Sequence, residues 1–212
     1  MRGLYAIVDH GSLGALGVDV LAFARAVLAA GPAAVQLRAK ALGAGQTLAL
    51  LRALSPLCRD AGALLFANDR PDLALLARCD GVHVGKTDLA VTDVRAAFPD
   101  LKVGVSTHDS RELEAALASR PDYLAFGPVF PTGSKENPDP VVGVDGLARA
   151  RAKVGAVPLV AIGGIDLERA PLVAEHADMG AVIGALLPRA GESLDAVTAR
   201  ARELHARLGG AA

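Results

Sequence analysis

Aromatic residues make up only 3% of this 212-residue chain, which has no tryptophan and just two tyrosines. Its charges nearly cancel, 22 Lys and Arg against 23 Asp and Glu, for a net charge of −1. Nucleic-acid binders want a basic face and often stacking aromatics, so these shortages argue against that class of partner. There are two cysteines, Cys58 and Cys79, without metal-ligand spacing. That usage fits a reduced, cytoplasmic compartment. No uncharged apolar run approaches the ~18 residues needed to span a membrane. The start, MRGLYAIVD, runs directly into a strand-like segment and has no secretory pattern. Neither nucleic acid nor membrane is expected as a partner, while a homo-oligomer is compatible with the composition.

What the chain does have is apolar surface, 52% of its residues, enough for a large core in one α/β domain spanning 1–212. Continuous apolar runs occur at 4–8, 33–37, 63–67, 81–84, 102–106, 123–127, 158–162 and 180–184. Unbroken apolar character, rather than alternation, marks strands buried on both faces, as in parallel sheets. Helix-compatible segments lie between them, near 19–30, 46–61, 71–78, 90–98, 109–119, 144–153, 166–175 and 191–208. Asp109 and Asp166 stand at helix starts, and Gly31 and Gly62 follow helices as stop residues. This alternation predicts a single (β/α)8 TIM barrel, a fold that typically needs ~250 residues and reaches down to ~200. The competing doubly wound sheet calls for G-x-G-x-x-G after the first strand. Gly11, Gly14 and Gly17 do not have that spacing.

Barrel active sites form at the C-terminal ends of the strands. Here those ends carry Asp9, then Gln36, Arg38 and Lys40, then Asn68 and Asp69, then His83 followed by Lys86 and Asp88, then Ser106 and His108, and finally Gly163-Gly164 and Gly184. The opposite ends are mostly Ala, Gly or Pro, so the polar groups are expected to converge on one rim. Gln36, Arg38 and Lys40 alternate and would share one face of an extended strand, with two cations suited to phosphate or diphosphate. Asp69 and Asp88 follow consecutive strands and would share a hard cation such as Mg²⁺, although each also suits an ordinary helix cap. The Gly163-Gly164 pair would let backbone N–H groups approach an anion. His83 and His108 fit packed, hydrogen-bonded roles better than that of a catalytic base. The stretch GPVFPTGSKENPDP, 127–140, has four prolines and two glycines, and so is neither helix nor central strand.

Taken together, VQLRAK, NDRPDLALLARCDGVHVGKTDL, VGVSTHDSREL, DYLAFGPVFPTGSKENPDPVVGVDGL and AIGGI resemble the thiamine-phosphate synthase (thiamine-phosphate pyrophosphorylase) family, in order and over almost the whole chain. The resemblance implies a barrel that joins a hydroxymethylpyrimidine diphosphate to a thiazole phosphate, releasing diphosphate with Mg²⁺. It implies that Gln36, Leu37, Arg38, Ala39 and Lys40 hold the pyrimidine diphosphate, with Asn68, Ser106 and Lys135. Asp69 and Asp88 would bind Mg²⁺. Thr132, Gly133, Ser134, Gly164, Ile183 and Gly184 would hold the thiazole phosphate. Arg38, Lys40, Ser106 and Lys135 would be the catalytic residues, and 127–140 a lid carrying Lys135. Three positions depart from the family pattern. Lys86 replaces a glutamine, Gly184 a serine and Ser134 a threonine. Alternative readings on the same fold are a thiazole tautomerase and a non-catalytic phosphate-binding regulator.

Overall fold

A computed structural model describes residues 2–133 and 139–211. Its strands are β1 (Gly3–Asp9), β2 (Ala34–Arg38), β3 (Leu64–Asn68), β4 (Gly81–Val84), β5 (Lys102–Thr107), β6 (Tyr123–Phe126), β7 (Leu159–Ile162) and β8 (Met179–Val182). All pair in parallel in chain order, and β1 pairs with β8, from Gly3 opposite Met179 to Ala6 opposite Val182, to close the barrel. The open-sheet alternative is thereby excluded. The helices are α1 (His10–Ala15), α2 (Val20–Leu28), α3 (Ala44–Asp60), α4 (Pro71–Leu76), α5 (Val91–Ala97), α6 (Ser110–Ala118), α7 (Gly143–Val154), α8 (Ala170–Ala174) and α9 (Leu194–Arg207). No helix among the described residues is long and apolar enough to cross a membrane.

The strands have two cores, one on each face. On β1, Leu4, Ala6 and Val8 pack outward against the helices, while Tyr5 and Ile7 point into the barrel with Phe66, Tyr123, Val160 and Met179. This is strand alternation hidden within a uniformly apolar run. Gly104 makes room inside, because a Cβ there would lie 1.9 Å from the Tyr123 ring.

Several elements differ from the sequence-based expectations. Asp9 caps an additional helix, α1, by accepting the Ser12 N–H at 2.8 Å. The segment expected to be helical from 166 is helical only from Ala170, with Pro171 in the first turn. Before it, Asp166 Oδ1 accepts the Glu168 and Arg169 N–H groups in a turn. β8 stops at Val182, so Ile183 and Gly184 belong to a short 3-10 turn rather than to the strand.

The bottom of the barrel is not merely Ala, Gly and Pro. Asp80, Asp122 and Asp178 sit just before β4, β6 and β8. Each donates its N–H to the carbonyl of a residue on the preceding strand, Leu65, Val103 and Leu159 respectively. The side chain of each then accepts that same residue's N–H at 2.8 Å. Arg95 and Arg151 brace Asp122 and Asp178 at 2.7 Å. At β1 the corresponding position before β2 is Ala33, which bonds Leu4 O but has no carboxylate. His205 of α9 supplies the missing acceptor, with Nδ1 3.3 Å from the Leu4 N–H.

Candidate active site

A cavity of about 760 Å³ opens at the C-terminal ends of the strands. Its walls are apolar, with Ile7, Ala125, Val160, Ile162 and Ala181, and its rim is polar. Gln36, Arg38, Lys40, Asn68, Asp69, Asp88 and Ser106 line it on the β2–β5 side. Thr132, Gly133, Gly164, Ile183 and Gly184 line it on the β6–β8 side. Leu37 and Ala39 do not, because their side chains pack in the outer core. Only their backbone groups remain for a ligand. Ser134 and Lys135 lie outside the described residues.

The cations are held by acids. Asp9 Oδ2 is 2.5 Å from Arg38 Nη1, while its Oδ1 accepts both the N–H and the hydroxyl of Ser12. Burial opposes ionisation of Asp9, yet the Ser12 hydrogen bonds and the Arg38 guanidinium outweigh it and hold the carboxyl below the usual range. Lys40 Nζ lies 3.4 Å from Asp69 Oδ2. Lys86 is mostly exposed at the rim and pairs with Glu112 at 2.6 Å.

Asp69 and Asp88 are not helix caps. The caps of α4 and α5 are Arg70 and Ala90, neither with a side-chain cap bond. Asp69 instead adopts a left-handed backbone, φ 62°, with its N–H on His83 O at 2.8 Å. Such a backbone is uncommon outside glycine, and Asp is among the side chains that tolerate it best. Asp88 Oδ2 accepts the Gly85 N–H at 2.8 Å, closing the turn after β4. Asp88 is a close acidic neighbour of the Asp69 carboxyl. Burial, and then the neighbouring Asp88, raise the pKa of Asp69 despite Lys40. Two crowded, hard oxygen donors are a setting that a divalent cation would relieve. Among the described residues no cluster of three or more His, Cys, Asp or Glu could hold a metal. With a divalent cation, this pair would need further oxygens from ligand or water to complete a shell.

On the opposite wall Gly163 and Gly164 have positive φ, 102° and 62°. A Cβ on Gly164 would lie 2.4 Å from Pro131 O, so only glycine lets the segment after β6 pack this closely. Arg169 closes the corner. Its Nη1 donates to Gly164 O at 2.7 Å, and its guanidinium lies 5.0 Å from the centre of the Phe130 ring. His108 Nδ1 donates to Gly127 O, 2.6 Å away; since a carbonyl only accepts, Nδ1 carries the proton.

Sequence reasoning missed the floor. Tyr5 and Tyr123 are the only tyrosines in the chain, and their hydroxyls are 2.8 Å apart in the middle of the barrel. Tyr5 also receives Gln36 Nε2 at 2.9 Å, and His83 bridges Tyr123 and Ser106 at 2.8 Å each. His83 is thus a buried, doubly bonded residue, as expected. The missed signal was the placement of two tyrosines in strand-like runs of an aromatic-poor chain.

The arrangement puts a rim of paired cations and acids and a glycine-lined turn around one apolar slot. Comparison with known proteins gives a family. The family model described as thiamine monophosphate synthase matches residues 4–186. A protein from Methanoregula boonei named thiamine-phosphate synthase is 39% identical over 207 residues, covering 97% of this chain and 92% of that protein. One of the same name from Laribacter hongkongensis is 40% identical over 208 residues, covering 97% and 95%. The solved thiamine phosphate pyrophosphorylase from Pyrococcus furiosus superposes with a TM-score of 0.85 at 30% identity, covering 98% and 96%.

Proposed function

The chain belongs to the thiamine monophosphate synthase family, and from that premise we propose that it is a transferase making thiamine phosphate from two phosphorylated heterocycles. The substrates are 4-amino-2-methyl-5-(diphosphooxymethyl)pyrimidine and 4-methyl-5-(2-phosphooxyethyl)thiazole, and diphosphate leaves. The observation that carries this reading is the pairing, in one cavity, of a cationic and acidic rim on β2–β4 with a glycine-lined cradle after β7 and β8. A volume of about 760 Å³ accommodates two small substrates together.

The bond between the pyrimidine methylene and the diphosphate oxygen breaks, and diphosphate keeps the electron pair. The thiazole nitrogen lone pair then bonds to that carbon, giving the thiazolium of the product. No proton moves, so no nucleophilic triad is required. The electron-rich aminopyrimidine supports positive charge on the methylene, which favours a dissociative order in which the leaving group departs first. Arg38, oriented by Asp9, and Lys40 face the diphosphate and stabilise its growing charge. Asp69 and Asp88 would hold Mg²⁺, which when bound supplies further positive charge to the leaving group. Ile7, Val160 and Ile162 shield the carbon centre from water. The Gly163-Gly164 turn, Thr132 and Gly133 hold the thiazole phosphate, and on the strength of the family resemblance Ser134 joins them while Lys135 meets the departing diphosphate. Positioning supplies much of the rate, since two bound reactants replace a bimolecular encounter.

The test is diphosphate release from the purified protein given both substrates, with and without Mg²⁺. Mg²⁺-dependent release, matched mole for mole by thiamine phosphate, is expected. Failure to form thiamine phosphate under conditions where a control enzyme works would overturn the reading. Lys135→Ala is expected to lower turnover more than it weakens thiazole phosphate binding.

A further inference from the structure

Five side chains form one unbroken hydrogen-bonded line across the cavity floor. Gln36 Nε2 donates to Tyr5 Oη at 2.9 Å, and the two tyrosine hydroxyls are 2.8 Å apart. Tyr123 Oη is 2.8 Å from His83 Nδ1, and His83 Nε2 is 2.8 Å from Ser106 Oγ. The two ends, Gln36 and Ser106, both line the cavity, whereas Tyr123 is fully buried beneath it. Burial also pushes both phenols well above their usual pKa, so each keeps its single proton.

Counting protons fixes the direction of the line. Each hydroxyl and a neutral imidazole has one proton to donate. Because Gln36 donates to Tyr5, Tyr5 donates to Tyr123 and Tyr123 donates to His83 Nδ1. His83 then carries its proton on Nε2 and donates to Ser106. Ser106 is already receiving, so its own proton is left for a ligand. At the other end Gln36 has spent an N–H on Tyr5 and keeps Oε1 as an acceptor. Reversing the Gln36 amide reverses every link in turn. Any mixed arrangement with a neutral imidazole leaves a buried hydroxyl proton without an acceptor or sets two acceptors against each other, which is costly.

We propose that Tyr5, Tyr123 and His83 are positioning residues that lock the hydrogen-bonding sense of Gln36 to that of Ser106, so that the two ends read one heteroaromatic edge as a unit. In the sense the structure shows, the ends offer one acceptor and one donor. That is the complement of an aminopyrimidine, whose amino group donates and whose adjacent ring nitrogen accepts. The ligand class rests on the proposed transferase reading, but the coupling itself rests on the floor geometry alone.

A double-mutant cycle tests the coupling. Gln36→Leu, Ser106→Ala and the double variant are compared by kcat/KM for the pyrimidine diphosphate, once with Tyr123 and once with Tyr123→Phe. With Tyr123 the double variant is expected to lose less than the product of the single losses, by about fivefold or more. With Tyr123→Phe, which keeps the ring and cuts the line, the losses are expected to multiply to within about twofold. Equal coupling in both backgrounds, or none with Tyr123, would overturn the proposal. A purely structural role for Tyr123 would lower all four values alike and leave the coupling intact. If Tyr123→Phe does not fold, Tyr5→Phe cuts the adjacent link. A further readout does not need turnover. Nitrogen NMR of the histidine-labelled, ligand-free protein, with the His83 signal identified by its loss in His83→Gln, is expected to show neutral His83 protonated at Nε2. An imidazolium would sink the relay, and an Nδ1–H form would overturn the sense that complements an aminopyrimidine, even if the protein makes thiamine phosphate. Absence of product with the expected tautomer would instead refute the transferase reading and leave the relay standing.

Discussion

The two ends of the barrel use aspartate in opposite ways. At the bottom, Asp80, Asp122 and Asp178 each accept a strand N–H, and two of them also meet an arginine. At the top, Asp69 and Asp88 face each other, and the pKa of Asp69 is raised. One end satisfies its carboxylates and gains stability from them. The other leaves them crowded, a setting that a bound cation would relieve. The difference matches the general division of this fold between a stabilising bottom and a reactive top.

Substitution at the top should separate the two ends most sharply. Asp69→Asn or Asp88→Asn is expected to cut turnover about a hundredfold, on the scale of losing a preorganised electrostatic group. The melting temperature should hold or rise, because the repulsion is removed. A matched loss of stability would contradict the contrast.

At the bottom the pattern should invert. Asp178→Ala leaves the Leu159 N–H without its acceptor and Arg151 without its carboxylate. About 1–3 kcal/mol of stability is expected to go, seen as a drop of several degrees in Tm, with kcat unchanged at low temperature. A loss of activity without a loss of stability would break the comparison.

Asp9 sits at the top yet is satisfied, which makes it the intermediate case. Asp9→Asn can still cap α1 but loses the charge that orients Arg38. A fall of about tenfold in kcat/KM for the pyrimidine diphosphate is expected, as for a weakened charge-assisted hydrogen bond. Steady-state kinetics beside a thermal melt would show whether the effect lies in function, stability or both.

The smallest effect concerns His205. Burial lowers its pKa below the ordinary value of about 6.5. The neutral ring accepts the Leu4 N–H, so its contribution is complete above pH ~6.5 and is lost as pH falls through the depressed folded value. Urea midpoints should therefore fall between neutral and mildly acidic pH. His205→Gln should flatten that part of the curve.

The barrel was legible because strands covered on both faces read as unbroken apolar runs, and because polar residues collect where those runs end. Gln36, Arg38 and Lys40 announced themselves in this way. Asp69 stood out only as one of a pair with Asp88; alone it looks like a cap before Pro71, and its left-handed backbone was not legible. Other features left no local trace. Asp80, Asp122 and Asp178 look like turn residues until the register sets each opposite a strand N–H. Tyr5 and Tyr123 are 118 positions apart, and no nearby pattern pairs two hydroxyls across a barrel. The α8 start was misplaced because Asp166 makes a turn where a helix cap was expected.

Three of the four bottom fastenings join neighbouring strands, but the fourth reaches back 201 positions, from His205 to Leu4. During synthesis β1 leaves the ribosome first, and its lower N–H waits for its acceptor until residue 205 has emerged. The earliest strand is thus the last to be fastened. Damage near the C-terminus, by a protease or a premature stop, would be felt first at the opposite end of the chain.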